Sequence, residues 1–568
     1  MVALINALVR REATLEMRRT NRMGNWREHA ALAGSIREGV RSMAGSVGPL
    51  VLAAVGIARR YEAHVTPADR KRRGQFFTPP AIAAFMAAQF PEVPSTARIL
   101  DPGAGVGILT AAVCDRVLAQ SGPRRVHATL YENDAAVLPY LTETMEECER
   151  HLTAHGHDFT FTICGESFIL HNENAVRPQQ SLFTSAQDRR FDLVIMNPPY
   201  FKLNRGDPQV AVMEPIVHGQ PNVYALFMAM GAALLDEGGQ MVAITPRSYC
   251  SGPYFRSFRQ WFFARMQPRS IHVFGSRTEA FQEDDVLQEN IILTCERTAA
   301  YPKTVRVTRS EGRAVAGGVD ASEIPYSQVI DNRHQQAIIR IPEHGADSDI
   351  VRHVEGWSGT FSGLGFSIST GPVVSFRARH ALRDVSGPSQ AVAPLLWLHN
   401  VRPFSVTWPL AARGKAQGIE VSDRTANILL PAKNYILLRR FSAKEERRRM
   451  TAGLLFASSV PHDRLGIENH LNYVYRKGGE LSEDEMFGLT GLFNSALIDR
   501  YFRSISGNTQ VNATEIRTMP MPPLDRIVAI GRSLKAQSTF QPLEVERIVL
   551  DELGINGPLA SSLIDACR

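Results

Sequence analysis

The residues with the most chemical character are Asn197-Pro198-Pro199-Tyr200, where the apolar run that starts at Phe191 stops. Two prolines end a strand or a helix. The side-chain oxygen of Asn197 and the backbone oxygen of Pro198 then form two acceptors, and the ring of Pro199 fixes the direction of the second. Two fixed acceptors suit a planar NH₂ group with two donors. Tyr200 adds a flat face on which a planar ring can stack.

Such a pair of acceptors can activate an exocyclic amine such as that of adenine. The lone pair of this amine is delocalised into the ring, so the amine is a poor nucleophile. Two hydrogen bonds draw it towards pyramidal geometry, and the localised lone pair can attack the methyl group of a sulfonium. The motif requires no strong general base. An adenine of duplex DNA would have to be flipped out to reach such a pocket. The motif alone does not decide whether the group that receives the methyl is a nucleic-acid base or a protein amide.

A second group of residues predicts a cofactor site. Asp101 ends an apolar strand, and Gly103 and Gly105 follow it in a turn that a backbone can make close to a ligand. A carboxylate at this place attracts a cationic amino group and repels a pyrophosphate. Glu132 ends the next predicted strand and can accept hydrogen bonds from both ribose hydroxyls. S-adenosylmethionine fits, since it has an amino group, a ribose and no phosphate.

Thr78 and Pro79 precede an apolar segment and predict the start of a helix, with Thr78 as N-cap and Pro79 in the first helical position. The N-terminus of a helix attracts anions. We therefore expect this helix end and Thr78 to face the carboxylate of the cofactor.

The elements that position these residues follow an α/β pattern between residues 71 and about 298, where apolar β-type runs alternate with helical segments. In an open α/β sheet, ligands bind beyond the carboxyl ends of the strands. A long apolar helix at 221–239 is expected to stop at Gly238-Gly239. The predicted strands are 97–103, 127–134, 191–197, 239–246, 270–275 and 289–296.

Composition sets the limits of the assignment. The chain has 568 residues, of which 44% are hydrophobic and 21% are charged, as in ordinary globular proteins with several domains. Six scattered cysteines without a CxxC pair argue against a zinc site and a disulfide framework. The longest apolar run near the N-terminus, at 47–58, is too short to span a bilayer and indicates a core helix. The net charge of +6 is a mild excess.

The order of these motifs resembles the N6-adenine DNA methyltransferases of the gamma arrangement, the modification enzymes of restriction systems. The motifs "QFFTPP", "DPGAGVG", "YEND" and "NPPYFKL" appear in that order, and a long C-terminal region follows. Segments such as "GIENHLNYVY" and "GNTQVNATEIR" are similar to the recognition domain of the PstI/BsuBI and XhoI-type methylases. The resemblance covers about residues 71–523.

This resemblance implies roles for individual residues. It implies that Asn197, Pro198 and Tyr200 form the catalytic motif. It also places an acid and a phenylalanine near the adenine of the cofactor and a second aromatic against the flipped base. The candidates for these roles are Glu166 with Phe168, and Phe281. With the residues derived above, the candidate cofactor-binding set is Thr78, Asp101, Gly103, Gly105, Glu132, Glu166 and Phe168.

The expected fold is a Rossmann-like S-adenosylmethionine-dependent methyltransferase domain with a C-terminal mixed α+β target-recognition domain. The expected divisions are a helical N-terminal extension (1–70), the catalytic domain (71–300), the recognition domain (301–523) and a helical tail (524–568). Basic segments and the Asn/Gln-rich stretch at 507–517 predict contacts with phosphates and bases of double-stranded DNA.

The expected protein is a bacterial or archaeal cytoplasmic monomer without membrane contact, accompanied by a separate restriction endonuclease. Two alternatives stay open. One is a methyltransferase that acts on RNA or on a protein glutamine amide, although those chains are usually shorter and lack the region 300–523. The other is a non-catalytic DNA-specificity subunit, against which the intact glycine turn and the intact motif at Asn197 argue.

Overall fold

The structure of the chain is a computed structural model. It describes residues 47–66, 77–177, 190–214, 216–217, 221–251, 253–274, 290–310, 320–331, 337–341, 347–384, 389–410, 412, 414–442, 446–505 and 510–568.

A nine-stranded sheet carries the N-terminal half, with strand order β3-β2-β1-β4-β5-β7-β6-β8-β9. Strands β1 to β5 are parallel to one another, whereas β7 runs antiparallel to both β5 and β6. The strands are β1 (Thr96–Pro102), β2 (Arg125–Tyr131), β3 (Asp158–Cys164), β4 (Phe191–Met196), β5 (Leu235–Pro246), β6 (Met266–Phe274), β7 (Asn290–Arg297), β8 (Thr304–Ser310) and β9 (Asp320–Pro325).

Helices cover both faces of this sheet, which explains why its strands read as continuous apolar runs. The alternation along β4 sends Val194 and Met196 into one core and Leu193 and Ile195 into the other. The helices of this half are α1 (Pro49–Glu62), α2 (Pro80–Ala88), α3 (Ile108–Leu118), α4 (Leu138–Ala154), α5 (Phe168–His171), α6 (Pro208–Met213), α7 (Val223–Leu234) and α8 (Arg256–Phe263).

The architecture confirms the predicted Rossmann-like fold class, and it corrects two local predictions. Helix α7 ends at Leu234, before the glycine pair at 238–239, because β5 already begins at Leu235. Helix α2 begins at Pro80 with Pro79 as N-cap, so Thr78 does not cap it. The hydroxyl of Thr78 is instead engaged by another side chain of the site, described below.

The C-terminal half contains several smaller sheets. Four strands form the sheet β13-β23-β20-β21, and five form the sheet β14-β18-β15-β22-β19. The strands are β10 (Ile330–Asp331), β11 (Ile338–Ile339), β12 (Gly359–Thr360), β13 (Phe366–Thr370), β14 (Leu382–Arg383), β15 (Val392–Leu396), β16 (Val401–Arg402), β17 (Ser405–Val406), β18 (Gly418–Glu420), β19 (Leu430–Pro431), β20 (Tyr435–Arg439), β21 (Ala452–Leu455), β22 (Arg464–Ile467), β23 (Leu471–Arg476) and β24 (Pro520–Met521).

Helices of the C-terminal half share one apolar core with the sheet around β20. This core takes in Ile436 of β20, Leu489 and Ile527, and also Val549 near the C-terminus. The helices are α9 (Tyr326–Val329), α10 (Asp347–Glu355), α11 (Glu483–Asn494), α12 (Ala496–Ile505), α13 (Ala513–Thr518), α14 (Leu524–Lys535), α15 (Pro542–Leu553) and α16 (Gly557–Asp565).

The domain limits expected from the sequence stay a prediction. Three observations of the packing concern the expected limits at residues 70, 300 and 523. Helix α1, inside the expected extension, buries Leu50 and Tyr61 in the core of the large sheet. The large sheet continues to Pro325, beyond residue 300. The helices after 523 pack in the same core as α11. We propose that the functional division lies near residue 325.

Candidate active site

The candidate site lies where the parallel strands end. The carboxyl ends of β1, β2, β3 and β4 meet at one edge of the sheet, and Gly103, Glu132, Glu166 and Asn197 follow those ends in the chain. They line one cavity of about 610 Å³. Parallel pairing brings these residues together although they are distant in sequence, as the rule for open α/β sheets requires.

Most of the predicted residues line this cavity, and two do not. Asp101 lies beneath the glycine turn and is fully buried, and Tyr200 is turned into the protein. Phe281 lies outside the described residues. The predicted residues that line the cavity are Thr78, Gly103, Gly105, Glu132, Glu166, Phe168, Asn197 and Pro198.

The turn after β1 needs glycine for two separate reasons. Gly105 has a φ of +55° and Gly107 has a φ of +85°, a region that disfavours side chains. A Cβ atom on Gly105 would also lie 3.0 Å from the ring of Phe77. The backbone of this turn therefore forms part of the cavity wall. The N–H groups of Gly103 and Ala104 both donate to Tyr131 O, at 2.8 and 2.9 Å, which ties the turn to the end of β2.

Glu132 is held rigidly against this turn. Its carboxylate accepts from the N–H of Gly105 at 3.0 Å and from the N–H of Asp134 at 2.8 Å. Burial raises the pKa of Glu132 above its ordinary value, and these two backbone donors counteract the rise. Each carboxylate oxygen can accept a further hydrogen bond. The arrangement fits a diol such as a ribose, which needs two acceptors in a fixed position.

Asp101 is buried, and only one of its two carboxylate oxygens has a hydrogen-bond donor. The Thr110 hydroxyl donates to Asp101 Oδ2 at 2.7 Å, whereas Oδ1 has no hydrogen-bond partner. Desolvation raises the pKa of Asp101 to about 7, although the Thr110 donors lower it in part. A buried acceptor that lacks a donor is costly. A cationic ligand group near the turn would favour the ionised form, so Asp101 fits a cofactor that carries an ammonium group.

Asn197 is fixed by two hydrogen bonds. Its Nδ2 donates to Thr78 Oγ1 at 3.1 Å, and its Oδ1 accepts from the Tyr200 hydroxyl at 2.9 Å. The same hydroxyl lies 3.2 Å from Ile244 O of β5. Burial raises the pKa of Tyr200 well above its usual value, so the phenol keeps its proton and acts as a donor. The amide plane of Asn197 therefore has one defined orientation beside Pro198.

Aromatic side chains that the sequence analysis did not name complete the cavity. Phe77, Phe201 and Phe227 line it, and Phe201 is 44% exposed at its rim. Phe168 packs between Tyr131 and Phe227, with ring centroids 5.1 and 5.2 Å apart. The "NPPYF" run contains Phe201, and its position directly after Tyr200 could have suggested it. Stacking of a base on Tyr200 stays a prediction.

Known proteins with similar sequences extend over most of the chain. The Eco57I restriction-modification methylase family matches residues 132–281. The chain is 30% identical to the Type II methyltransferase M.PstI of Providencia stuartii over 486 residues, which is 85% of this chain and 93% of that protein. The chain belongs to the type II methyltransferases of restriction–modification systems. Members of this family methylate DNA with S-adenosylmethionine, and the chain has this activity as a member of the family.

Two further similarities agree with this family. The Type II methyltransferase M.BsuBI of Bacillus subtilis is 32% identical over 468 residues, covering 82% of this methyltransferase and 90% of that protein. A solved structure of the Type IIL restriction-modification enzyme MmeI in complex with DNA has a TM-score of 0.50 at 12% identity, and covers 85% of this chain and 74% of that chain. The second similarity concerns the fold alone.

No helix in the described part of the chain combines the length and the apolar character that a transmembrane span needs.

Proposed function

We propose that this methyltransferase transfers a methyl group to the N6 amine of an adenine that has been flipped out of duplex DNA. The observation that supports this most directly is the pair of oxygens at Asn197 and Pro198, at the end of β4 and lining the cavity. They can accept both hydrogens of one planar amine. Adenine presents such an amine once it leaves the base stack.

The residues would act in two groups. Glu132, Asp101 and the glycine turn would hold the cofactor, with Glu132 on the ribose and Asp101 near its amino group. S-adenosylmethionine, when bound, supplies an electrophilic methyl group. Glu166 and Phe168 line the same cavity and would lie near the adenine of the cofactor.

Asn197 and Pro198 would act on the amine of the target base. Hydrogen bonds to both oxygens would localise the lone pair of the amine. The N–C bond would form from that lone pair as the S–C bond of the sulfonium breaks, with the S–C electron pair staying on sulfur in the departing neutral thioether S-adenosylhomocysteine. The nitrogen would then lose one proton to solvent. Tyr200 and Thr78 keep the amide of Asn197 from rotating, so its oxygen stays aimed at the amine. This preorganisation avoids a cost at the moment of reaction. Phe201, exposed at the rim, offers a face for the flipped base.

An acceptor other than DNA is less well supported. Both type II relatives align over more than four fifths of the chain, including the region after residue 325. A methyltransferase for a protein amide would not need that region. The same coverage argues against a non-catalytic specificity subunit. The sheet edge argues against it as well, because Asn197 and Glu132 line one cavity there.

The methylated atom is directly measurable. Purified protein would be incubated with duplex DNA and S-adenosylmethionine carrying a labelled methyl group, and the DNA digested to nucleosides and separated by chromatography with mass detection. We expect the label in N6-methyldeoxyadenosine. Label in N4-methyldeoxycytidine would keep the two-acceptor argument and refute adenine. Label in 5-methyldeoxycytidine would refute both.

Base flipping requires a separate measurement. A duplex with 2-aminopurine at the methylated position should become more fluorescent when the protein binds, because the base loses its stacking partners. The same duplex with 2-aminopurine elsewhere in the site is the control. Equal signals from both duplexes would contradict flipping. We also expect that DNA methylated by this protein resists one restriction endonuclease with the same recognition site.

A further inference from the structure

A polar cluster in the C-terminal half has the geometry of a base-reading site. The His470 cluster consists of Arg440, Phe441, Glu468, His470 and Gln510. These residues come from three chain segments and meet beside strands β20 and β23. The N–H of Arg440 donates to His470 O at 2.9 Å, and Phe441 forms an isolated bridge with Gln510.

A buried carboxylate orients the imidazole of this cluster. The side chain of Glu468 is 1% exposed and lies 2.7 Å from His470 Nδ1, whereas the side chain of His470 is 45% exposed. The N–H of His470 also donates to Glu468 at 2.9 Å. Nδ1 donates to the carboxylate, and Nε2 on the opposite side of the ring is an acceptor whenever the imidazole is neutral. The ring of Phe441, with its centroid 4.7 Å away, supports one face of the imidazole.

The guanidinium of Arg440 is held equally firmly. Its Nη1 donates to Asn469 O at 3.0 Å and its Nη2 donates to Gln510 Oε1 at 2.9 Å. An arginine has five N–H groups, so further donors remain for a ligand. Because the side-chain oxygen of Gln510 accepts from Arg440, the NH₂ group of Gln510 can serve as a second donor to a ligand. The cluster therefore presents donors at Gln510 and Arg440 and an acceptor at His470.

The cluster is connected to the edge of the sheet that carries the candidate active site. Val511, next to Gln510, donates to Arg440 O at 2.7 Å and leads into α13. Glu515 of α13 accepts from the Ser251 hydroxyl at 3.3 Å, and Ser251 follows the carboxyl end of β5. These contacts link the cluster, through α13, to the segment that follows β5.

The charge of the cluster favours a base over a phosphate. Arg440 carries a positive charge and Glu468 a negative one, so the cluster attracts phosphates weakly. Phosphate contacts need positive charge and little orientation, whereas base edges need donors and acceptors in a fixed order. The major-groove edge of a G·C pair offers the acceptors N7 and O6 of guanine and then the N4 donor of cytosine. Arginine donating to guanine is the commonest specific base contact. Arg440 therefore favours a G·C pair, with Gln510 as a further donor and the Nε2 atom of His470 as an acceptor for N4 of cytosine.

We propose that the His470 cluster reads a G·C pair of the recognition sequence through the major groove, with Glu468 as the positioning residue of His470. This inference rests on the proposed function only in taking duplex DNA as the substrate. It does not depend on which base is methylated.

The test is a binding selection that needs no methyl transfer. Wild-type protein and the variants Arg440→Ala, His470→Ala and Glu468→Gln would each select duplexes from a randomised library, which are then sequenced. We expect the wild-type motif to contain a G·C pair at which the preference for G·C falls by about 10- to 100-fold in all three variants. The other positions of the motif should keep their preferences.

His462→Ala is the matched control. His462 also contacts a carboxylate, Asp463 at 2.8 Å, and lies outside the cluster. It should leave the motif unchanged. Thermal melting and binding of S-adenosylmethionine would show that each variant is folded, and Arg440→Lys replaces Arg440→Ala if the latter is not.

Three results would overturn the inference: a uniform loss of affinity without a change of motif, which indicates a phosphate contact; motifs identical to that of His462→Ala; or a wild-type protein that selects no motif. A protein that selects a motif but methylates no adenine would instead contradict the proposed function and leave this test valid.

Discussion

The sheet edge with Asn197 and the His470 cluster differ in their proposed roles and in how their residues are distributed along the sequence. At the sheet edge, Gly103, Glu132 and Asn197 directly follow strands, so that short contiguous runs such as Asn197-Pro198 would carry the chemistry. The His470 cluster takes its donors and acceptors from the segments around 440, 468–470 and 510. Chemistry common to all substrates can be fixed by a local motif. A surface that selects one DNA sequence is assembled from parts that can vary separately.

This comparison predicts that changes at the sheet edge alter the rate or the cofactor affinity at every DNA site, whereas changes in the His470 cluster alter which sites are chosen.

The largest expected effect is that of Asn197→Ala. Removing one of two preorganised acceptors should lower kcat by about a thousandfold. The affinity for S-adenosylmethionine and the DNA motif should stay unchanged. Single-turnover kinetics on a duplex with one site would measure the rate. Asn204→Ala, an exposed asparagine after the same motif, is the matched control. Full activity of Asn197→Ala would refute the amine-activation argument.

Asp101 should make stability depend on pH. Its pKa of about 7 in the folded chain lies above the ordinary value of 3.8, so the folded chain keeps a proton that the unfolded chain has lost. The free energy of unfolding should fall as the pH rises from about 4 to about 7, by roughly 3 kcal/mol. Asp101→Asn should remove this contribution of Asp101 and leave that of Glu546, whose pKa burial also raises to about 7. Urea unfolding at several pH values would measure it, and an equal slope in both proteins would contradict the burial argument.

A smaller change is expected for Glu132→Ala. The variant loses two possible charged hydrogen bonds to a ribose, so the Kd for S-adenosylmethionine should rise by about 10- to 100-fold. Isothermal calorimetry would measure this Kd. Glu166→Ala should change it less, because Glu166 is exposed and already pairs with His171. Glu173→Ala, at an exposed acid nearby, serves as the control. An unchanged Kd for Glu132→Ala would exclude the ribose contact.

Tyr200→Phe should give the smallest effect of the series. It keeps the ring and removes the hydroxyl that holds Asn197 Oδ1, a hydrogen bond worth about 1 kcal/mol. We expect kcat to fall by about fivefold to tenfold, again at every DNA site. If Tyr200→Phe retained the full rate and Tyr200→Ala did not, stacking rather than alignment of Asn197 would be the role of Tyr200.

The sequence predicted most of the large sheet and missed the parts whose pattern is weak. The strands with continuous apolar runs, such as β4 and β7, were found within a few residues. Strand β3, "DFTFTIC", alternates threonine with apolar residues at the outer edge of the sheet and was not recognised. Strands β8 and β9 were missed because they extend the sheet past the expected boundary at residue 300.

In the candidate site, the sequence predicted several residues but not the side chains to which they are hydrogen-bonded. The assignments of Asn197 and Glu132 to a shared ligand site need only the rule that parallel strands end at one edge. The partners of these residues could not be inferred. The hydroxyl of Thr78 was expected at a helix cap and instead accepts from Asn197. Hydrogen bonds between segments more than a hundred residues apart leave no local pattern.

The sequence by itself determined the type of chemistry, because Asn197-Pro198 and the glycine turn after Asp101 fix backbone geometry within a few residues. Only the tertiary structure decided how those groups are tuned. It buries Asp101, places the Tyr200 hydroxyl on Asn197 and brings Arg440, His470 and Gln510 together. The physical reason is range: prolines and glycines act through their own dihedral angles, whereas desolvation and side-chain hydrogen bonds depend on whatever the fold packs against them.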